Sequence, residues 1–493
     1  TVQAVKDILL GEGNTAMLSH ELIRGIVMSK SEELYDILGK FLLAARLQEG
    51  ARQAVCETMD AGRPEAFLHL FAVIEENDLI RYSSVKRAVS VWIGIFNEKS
   101  VDRISDKLLR LMGRCLREPD FCREQLATED SVAISCALWA KGFYDADAAV
   151  GAVRELIVSG TRHQKMTASY FTRSIQDERL RMQGAKDVIL NCSDDLELTA
   201  CFLPGFIEST SSRFSELVRD ESSSSYTFRG GKVVEPRKMA PEEMFTDRDE
   251  ALRCYQILKE ILKKVPKKGI TLSPCIFPWH QVTMNQSDLA ERLCLIAWML
   301  QDDEILDEAA GYIPLIGQGA GYSYYGASRA AAARLLLYRP KSAARKRILF
   351  ELLHNPEEYT NKEAHLLTED MELTEEDYIQ IEKNLKYKKG RKGTLSLLRR
   401  QDKSSLVSSI ARLLEERSEE CHMGALDLAL ELKKEDAVYF EKVIPHLKAL
   451  SDATGKEQVL LTELLGESST AQDILDTPGY GLYDVKKDWV LPP

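Results

Sequence analysis

The densest chemistry in the sequence is basic. Lys386, Lys388, Lys389, Arg391, Lys392, Arg399 and Arg400 surround two glycines, Gly390 and Gly393. Glycines let backbone amides approach an anion while flanking cations neutralise phosphate, so these seven residues form the candidate anion-binding set. Two smaller basic clusters precede it, at 259–268 (Lys259, Lys263, Lys264, Lys267, Lys268) and at 339–347 (Arg339, Lys341, Arg345, Lys346, Arg347). Acidic runs at 302–308, 369–377 and 415–420 interleave with them. The competing reading is therefore solvated helix ends, where Lys and Arg complement the helix dipole. Gly317-Gln318-Gly319-Ala320-Gly321 invites a phosphate cradle, but a dinucleotide fingerprint needs Gly where Tyr322 stands, and Pro314 disfavours a central strand. The segment reads as a helix-to-helix turn, and Tyr322, Tyr324 and Tyr325 beside it are a candidate interaction surface. There is no Cys-x-x-Cys and no His-Glu-x-x-His, and no histidine sits with Ser or Cys in a nucleophile motif. His280, beside Trp279 in a proline-rich loop, is the histidine that merits substitution first. The reading names no catalytic residue, no metal and no cofactor.

Those residues must be carried by helices. Val85, Ala88, Val89, Trp92, Ile93 and Phe96 recur at the spacing of one helical face, and Val132, Cys136, Trp139, Ala140 and Phe143 repeat the pattern. Trp139 follows Trp92 by 47 residues, and each unit is expected to end in a glycine 21 residues after its tryptophan, Gly113 and Gly160. A second amphipathic segment lies between tryptophan and glycine in both units. Two helices per 40 to 47 residues predict an all-α fold, an α-solenoid of HEAT- or armadillo-like helical hairpins. Pro445 falls within an apolar pattern and predicts a kinked helix.

The division expected is a helical segment over 1–218, a flexible insertion or linker over 219–246 (Ser222 to Ser225, Gly230-Gly231, Pro236, Pro241), and a second helical segment over 247–493. At 493 residues the chain exceeds one compact core, a limit an array evades because each unit packs only on its neighbours. The net charge of −12 argues against whole-surface attraction to nucleic acid or anionic membrane. Ten scattered cysteines read as reduced core residues, and a cytoplasmic location is expected. A chain starting at Thr1 and stopping at Pro493 is expected to be a piece of a longer protein.

Lys386-Tyr387-Lys388-Lys389-Gly390-Arg391-Lys392-Gly393, the pairing of Leu413-Leu414 with Gly424 to Leu428, and Gly479-Tyr480-Gly481-Leu482-Tyr483-Asp484 resemble a bacterial family of very large proteins of unknown function. Its members carry a long helical-repeat region, sometimes accompany a WGR module, and are often labelled molybdate-metabolism-regulator-like. The resemblance covers chiefly the C-terminal half. It implies that this chain is the helical region, and it assigns no catalytic residue. The leading expectation is a non-catalytic scaffold offering an extended surface to a protein partner or to the remainder of its own polypeptide. The alternative is a polyanion- or nucleic-acid-binding array using the three basic clusters.

Overall fold

A computed structural model of the chain describes residues 2–11, 19–44, 49–94, 98–172, 178–200, 235–272, 282–317, 324–450 and 455–466, together with a few single positions between them. The chain divides into two compact units, residues 1–214 with 239–300, and residues 215–238 with 301–493. Of the stretch expected as a linker, 219–234 lie outside the described residues; in its described end Met239, Met244 and Phe245 are buried.

The first unit contains α1 (Val2–Leu10), α2 (His20–Met28), α3 (Glu32–Leu42), α4 (Glu49–Thr58), α5 (Pro64–Glu76), α6 (Ser83–Trp92), α7 (Glu98–Asp102) and α8 (Ser105–Arg117). It continues with α9 (Pro119–Leu126), α10 (Ser131–Tyr144), α11 (Ala146–Ser159), α12 (Arg162–Phe171), α13 (Glu178–Cys192), α14 (Arg248–Lys264) and α15 (Gln286–Leu300). Local chemistry fixes many of these starts. Ser19 and Ser31 cap α2 and α3, Thr161 and Gln164 form a capping box on α12, and Pro64 and Pro119 occupy first turns, where no amide hydrogen is needed. Ile270–Leu272 forms β1 and pairs antiparallel with β2 (Val282–Met284), Ile270 opposite Met284.

The second unit contains α16 (Asp303–Ala310), α17 (Tyr324–Leu337), α18 (Ala343–Leu352), α19 (Glu358–Glu369), α20 (Glu375–Glu382), α21 (Arg391–Leu398) and α22 (Lys403–Glu415). It ends with α23 (Glu419–Glu435), α24 (Ala437–Glu441), α25 (Ile444–Lys448) and α26 (Gly455–Leu465). In both units helices pack on the helix two places along. α1, α3 and α5 form one row and α2, α4 and α6 another; α17, α19, α21 and α23 face α16, α18, α20 and α22 in the same way. The protein is an all-α helical-repeat fold.

Three expectations need correction. The period is shorter than 40 to 47 residues: α17, α19, α21 and α23 begin 34, 33 and 28 residues apart. The 47 residues between the tryptophans enclose α7, α8 and α9, so the interval is more than one hairpin. Gly113 ends nothing; it lies inside α8, where a Cβ would meet both Glu75 carboxylate oxygens and an Arg117 nitrogen at 3.2–3.3 Å, the space used by the Arg117–Glu75 ion pair. Pro445 kinks nothing either, because α24 has stopped at Glu441 and Pro445 sits in the first turn of α25.

The two tryptophans are buried, as their spacing demands, but both pack on one side chain. Phe67 of α5 packs on Trp92 at 5.1 Å between ring centroids, on Trp139 at 5.8 Å and on Phe143 at 4.7 Å. One phenylalanine, 1% exposed, thus joins α5, α6 and α10. Phe67→Ala should cost about 3–5 kcal/mol, read as hydrogen-exchange deprotection of α5, α6 and α10; a loss under about 1 kcal/mol would place that ring outside the core.

Candidate functional site

The candidate anion-binding residues lie in the second unit, and their partners decide what they can do. Lys386 pairs with Glu416 at 3.4 Å and Lys388 with Glu420 at 3.5 Å. Arg391 reaches Glu420 at 2.8 Å and Asp427 at 3.2 Å, Arg399 pairs with Glu431 at 3.7 Å, and the Lys389 ammonium donates to the Pro356 carbonyl. Arg400 donates to the carbonyls of Thr368 and Met371, at 3.1 and 2.8 Å. Lys392 is exposed and has no such partner among the described residues. The set also splits in space: α21 separates the lysine loop from Arg399 and Arg400 by about 12 Å, at 1.5 Å per residue.

Three residues of the second cluster are engaged in the same way, while Arg347 approaches only Glu351 on its own helix and Lys341 is exposed. Arg339 pairs with Asp370 at 2.8 Å, Arg345 with Asp303 and Asp307 at 2.7 Å each, and Lys346 with Asp377 at 2.7 Å. Arg339 and Arg400, from the second and third clusters, therefore converge on one turn, 368–371. Lys259, Lys263 and Lys264 of the first cluster ride the last turns of α14 in the other unit, with Lys263 on Glu260 at 2.6 Å.

A pattern runs through these contacts. In Arg339–Asp370, Lys346–Asp377, Arg391–Glu420, Arg412–Glu382 and Lys403–Glu435 the partners stand 29 to 32 residues apart, one hairpin along the array. The most buried is Arg334–Glu363, bidentate at 2.6 and 2.7 Å, with side chains 8% and 1% exposed. The first unit has equivalents in Arg154–Asp187 and Arg162–Asp195, each 33 residues apart.

Around the lysine loop the backbone is tightly specified. Gly390 takes a left-handed φ of +80°, and a Cβ there would lie 2.1 Å from the Leu353 carbonyl oxygen. Tyr387 stacks on His354 with centroids 3.8 Å apart, and His354 Nδ1 hydrogen-bonds Asn384 at 2.7 Å. Gly393 leaves room for His365, whose ring would otherwise be struck at 2.4 Å. Both His365 ring nitrogens are buried without a hydrogen-bond partner of good geometry. Burial pushes its pKa down, offset only in part by the Leu353 backbone.

Other expected features are less well placed. Tyr324 and Tyr325 begin α17; Tyr322, residues 318–323 and His280 lie outside the described residues. Sequence reasoning missed a serine–histidine pair: Ser131 Oγ lies 2.6 Å from His163 Nε2 and 3.1 Å from Thr167 Oγ1. Such a pair can activate a nucleophile when an acid orients the base and free amides receive the oxyanion. Here Ser131 is 7% exposed, and the Val132 and Ala133 amides at the start of α10 already donate to Asp130. It is a polar tie between α10 and α12, and nothing in the sequence flagged two residues 32 apart. A groove of about 640 Å³ in the first unit is lined by Asp187, Glu250, Arg253 and Lys264; Asp187 is held by Arg154 and Glu250 by Lys186. Among the described residues no His, Cys, Asp and Glu group could hold a metal, and no helix is long and apolar enough to cross a membrane.

The sequence model of a family of unknown function, DUF5724, matches residues 1–493. The chain belongs to that family. The description of DUF5724 assigns no activity and carries no association with molybdate regulation or WGR modules. No curated protein matches the chain.

The buried His365 generates a pH prediction. Because its folded-state pKa is lowered, the unfolded chain binds the proton better, so stability is full above the unfolded value near 6.5 and falls as pH drops through it. Going from about pH 7.5 to about pH 5.5 should lower the denaturant midpoint of the second unit, and His365→Gln should lose less over that window. Equal losses in both proteins would contradict this assignment.

Proposed function

We propose that this chain is a non-catalytic helical-repeat scaffold, a solenoid of the HEAT or armadillo kind that presents the exposed faces of its stacked hairpins to a protein partner or to the remainder of its own polypeptide. The observation that carries this reading is the fate of the basic residues. Apart from Lys392, the candidate anion-binding cations are each engaged by an acidic side chain or a carbonyl, most of them across one hairpin step. A phosphate would have to displace those partners. The described cysteines are all free, which supports a reducing compartment such as the cytoplasm.

The second reading, a polyanion-binding array, rests on Lys388, whose side chain is 84% exposed, and on exposed Lys392 beside it. A salt series on random duplex DNA separates the two. The scaffold reading expects weak binding with a shallow slope, because paired cations release few counterions. A slope of log K against log salt of about −5 or steeper would overturn it in favour of phosphate contacts.

A further inference from the structure

We propose that His422 and Glu457 form a proton-operated latch, which holds α26 onto α23 while a proton lies between the two side chains and releases it when that proton is lost. This goes beyond the scaffold reading and stands independently of it, because it concerns how the array is closed and not what it binds. His422 lies in the N-terminal turn of α23 and its ring reaches two ways. Nδ1 is 2.8 Å from Glu457 Oε1, near the start of α26 and 35 residues on, and Nε2 faces the Glu416 carbonyl, just past the end of α22. Arg339–Asp370, Arg391–Glu420 and Lys403–Glu435 make comparable steps with cations that keep their charge. His422 makes it with the side-chain type whose charge changes near neutral pH.

A count of hydrogens gives the switch its direction. The Glu416 carbonyl can only accept, so Nε2 carries a hydrogen. An ionised carboxylate can likewise only accept, so the contact with Glu457 needs a second proton between Nδ1 and Oε1, whichever atom holds it. A neutral imidazole beside an ionised Glu457 has one hydrogen too few, and one ring nitrogen must then turn a lone pair on an oxygen. Water offers little relief to the carboxylate, since the Glu457 side chain is 1% exposed and that of His422 15%. The docked form thus binds a proton that the released form does not need, so docking strengthens as pH falls and weakens as it rises. This is the opposite sign to His365.

The charges brought by the neighbouring elements are engaged elsewhere or stand in water. The 383–386 turn, the loop after it and α21 bring Lys386, Lys388 and Arg391, which pair with the Glu416 and Glu420 carboxylates, and Arg412 of α22 is held by Glu382. Glu441 of α24, His446 of α25 and Lys456 of α26 are exposed. Glu419 and Glu420 share the first turn of α23 and offset the positive end of its dipole, which would disfavour a cation there. The far end of α26 is tied differently, by Lys433 donating to the Glu463 and Leu464 carbonyls at 2.9 and 2.8 Å.

The test follows hydrogen exchange of the native full chain by mass spectrometry at about pH 6.5 and about pH 9, each rate divided by the intrinsic rate at that pH. The expected result is a loss of protection of about tenfold or more in α26 at the higher pH, with α19 to α22 little changed. Glu457→Gln supplies an amide hydrogen to Nδ1 without a titrating proton, and His422→Gln donates to Glu457 without titrating; each should abolish the step. Should one variant not fold, the other decides together with the wild-type profile. Equal protection of α26 at both pH values in the wild type, a step spread evenly over the second unit, or a step that persists in either glutamine variant would overturn the proposal.

Discussion

The architecture of the second unit depends on one interaction, the ion pair between a cation on one hairpin and an acid on a neighbouring one. Arg334–Glu363 is its extreme form, with both groups nearly out of water and two parallel hydrogen bonds between them. A desolvated pair contributes little net stability over an apolar pair of equal size, but it penalises every register in which either charge lacks its partner. That penalty is what an array needs. Hairpins of similar length and similar greasy faces could slide by a turn, and the charged ties admit one stacking.

The exposed ties behave differently. Lys403–Glu435 and Arg339–Asp370 sit largely in water, where such pairs are worth about 0–1 kcal/mol and are screened by salt. Their consequence is functional: they lower the effective positive charge of the clusters that invite a nucleic-acid reading. The glycine-rich lysine loop illustrates the point. Its glycines are explained by the fold, Gly390 by the approach to Leu353 and Gly393 by the ring of His365, and no bound anion is needed to account for either.

Helices were legible from the sequence because burial imposes a 3.6-residue period and because capping residues are local; Ser19 and the Thr161–Gln164 box needed only their neighbours. The most apolar segment, Leu289 to Leu300, is buried on nearly every face as its composition requires. The repeat length was not legible from two tryptophans, since Trp92 and Trp139 are related by a shared contact with Phe67 and not by equivalent places in successive hairpins. The ties were invisible for the same reason. A lysine run shows its charge, but its acidic partner stands about one hairpin away at a register only the stacking sets, as does His163 for Ser131.

The central claim is that hairpins are locked one to the next by these buried charges. A double-mutant cycle on Arg334 and Glu363 measures it directly. The account predicts that Glu363→Ala alone costs about 3–5 kcal/mol, because it strands a buried guanidinium, and that replacing both residues by apolar side chains of similar volume recovers most of that loss. Additive costs, or a single substitution that costs under about 1 kcal/mol, would contradict it.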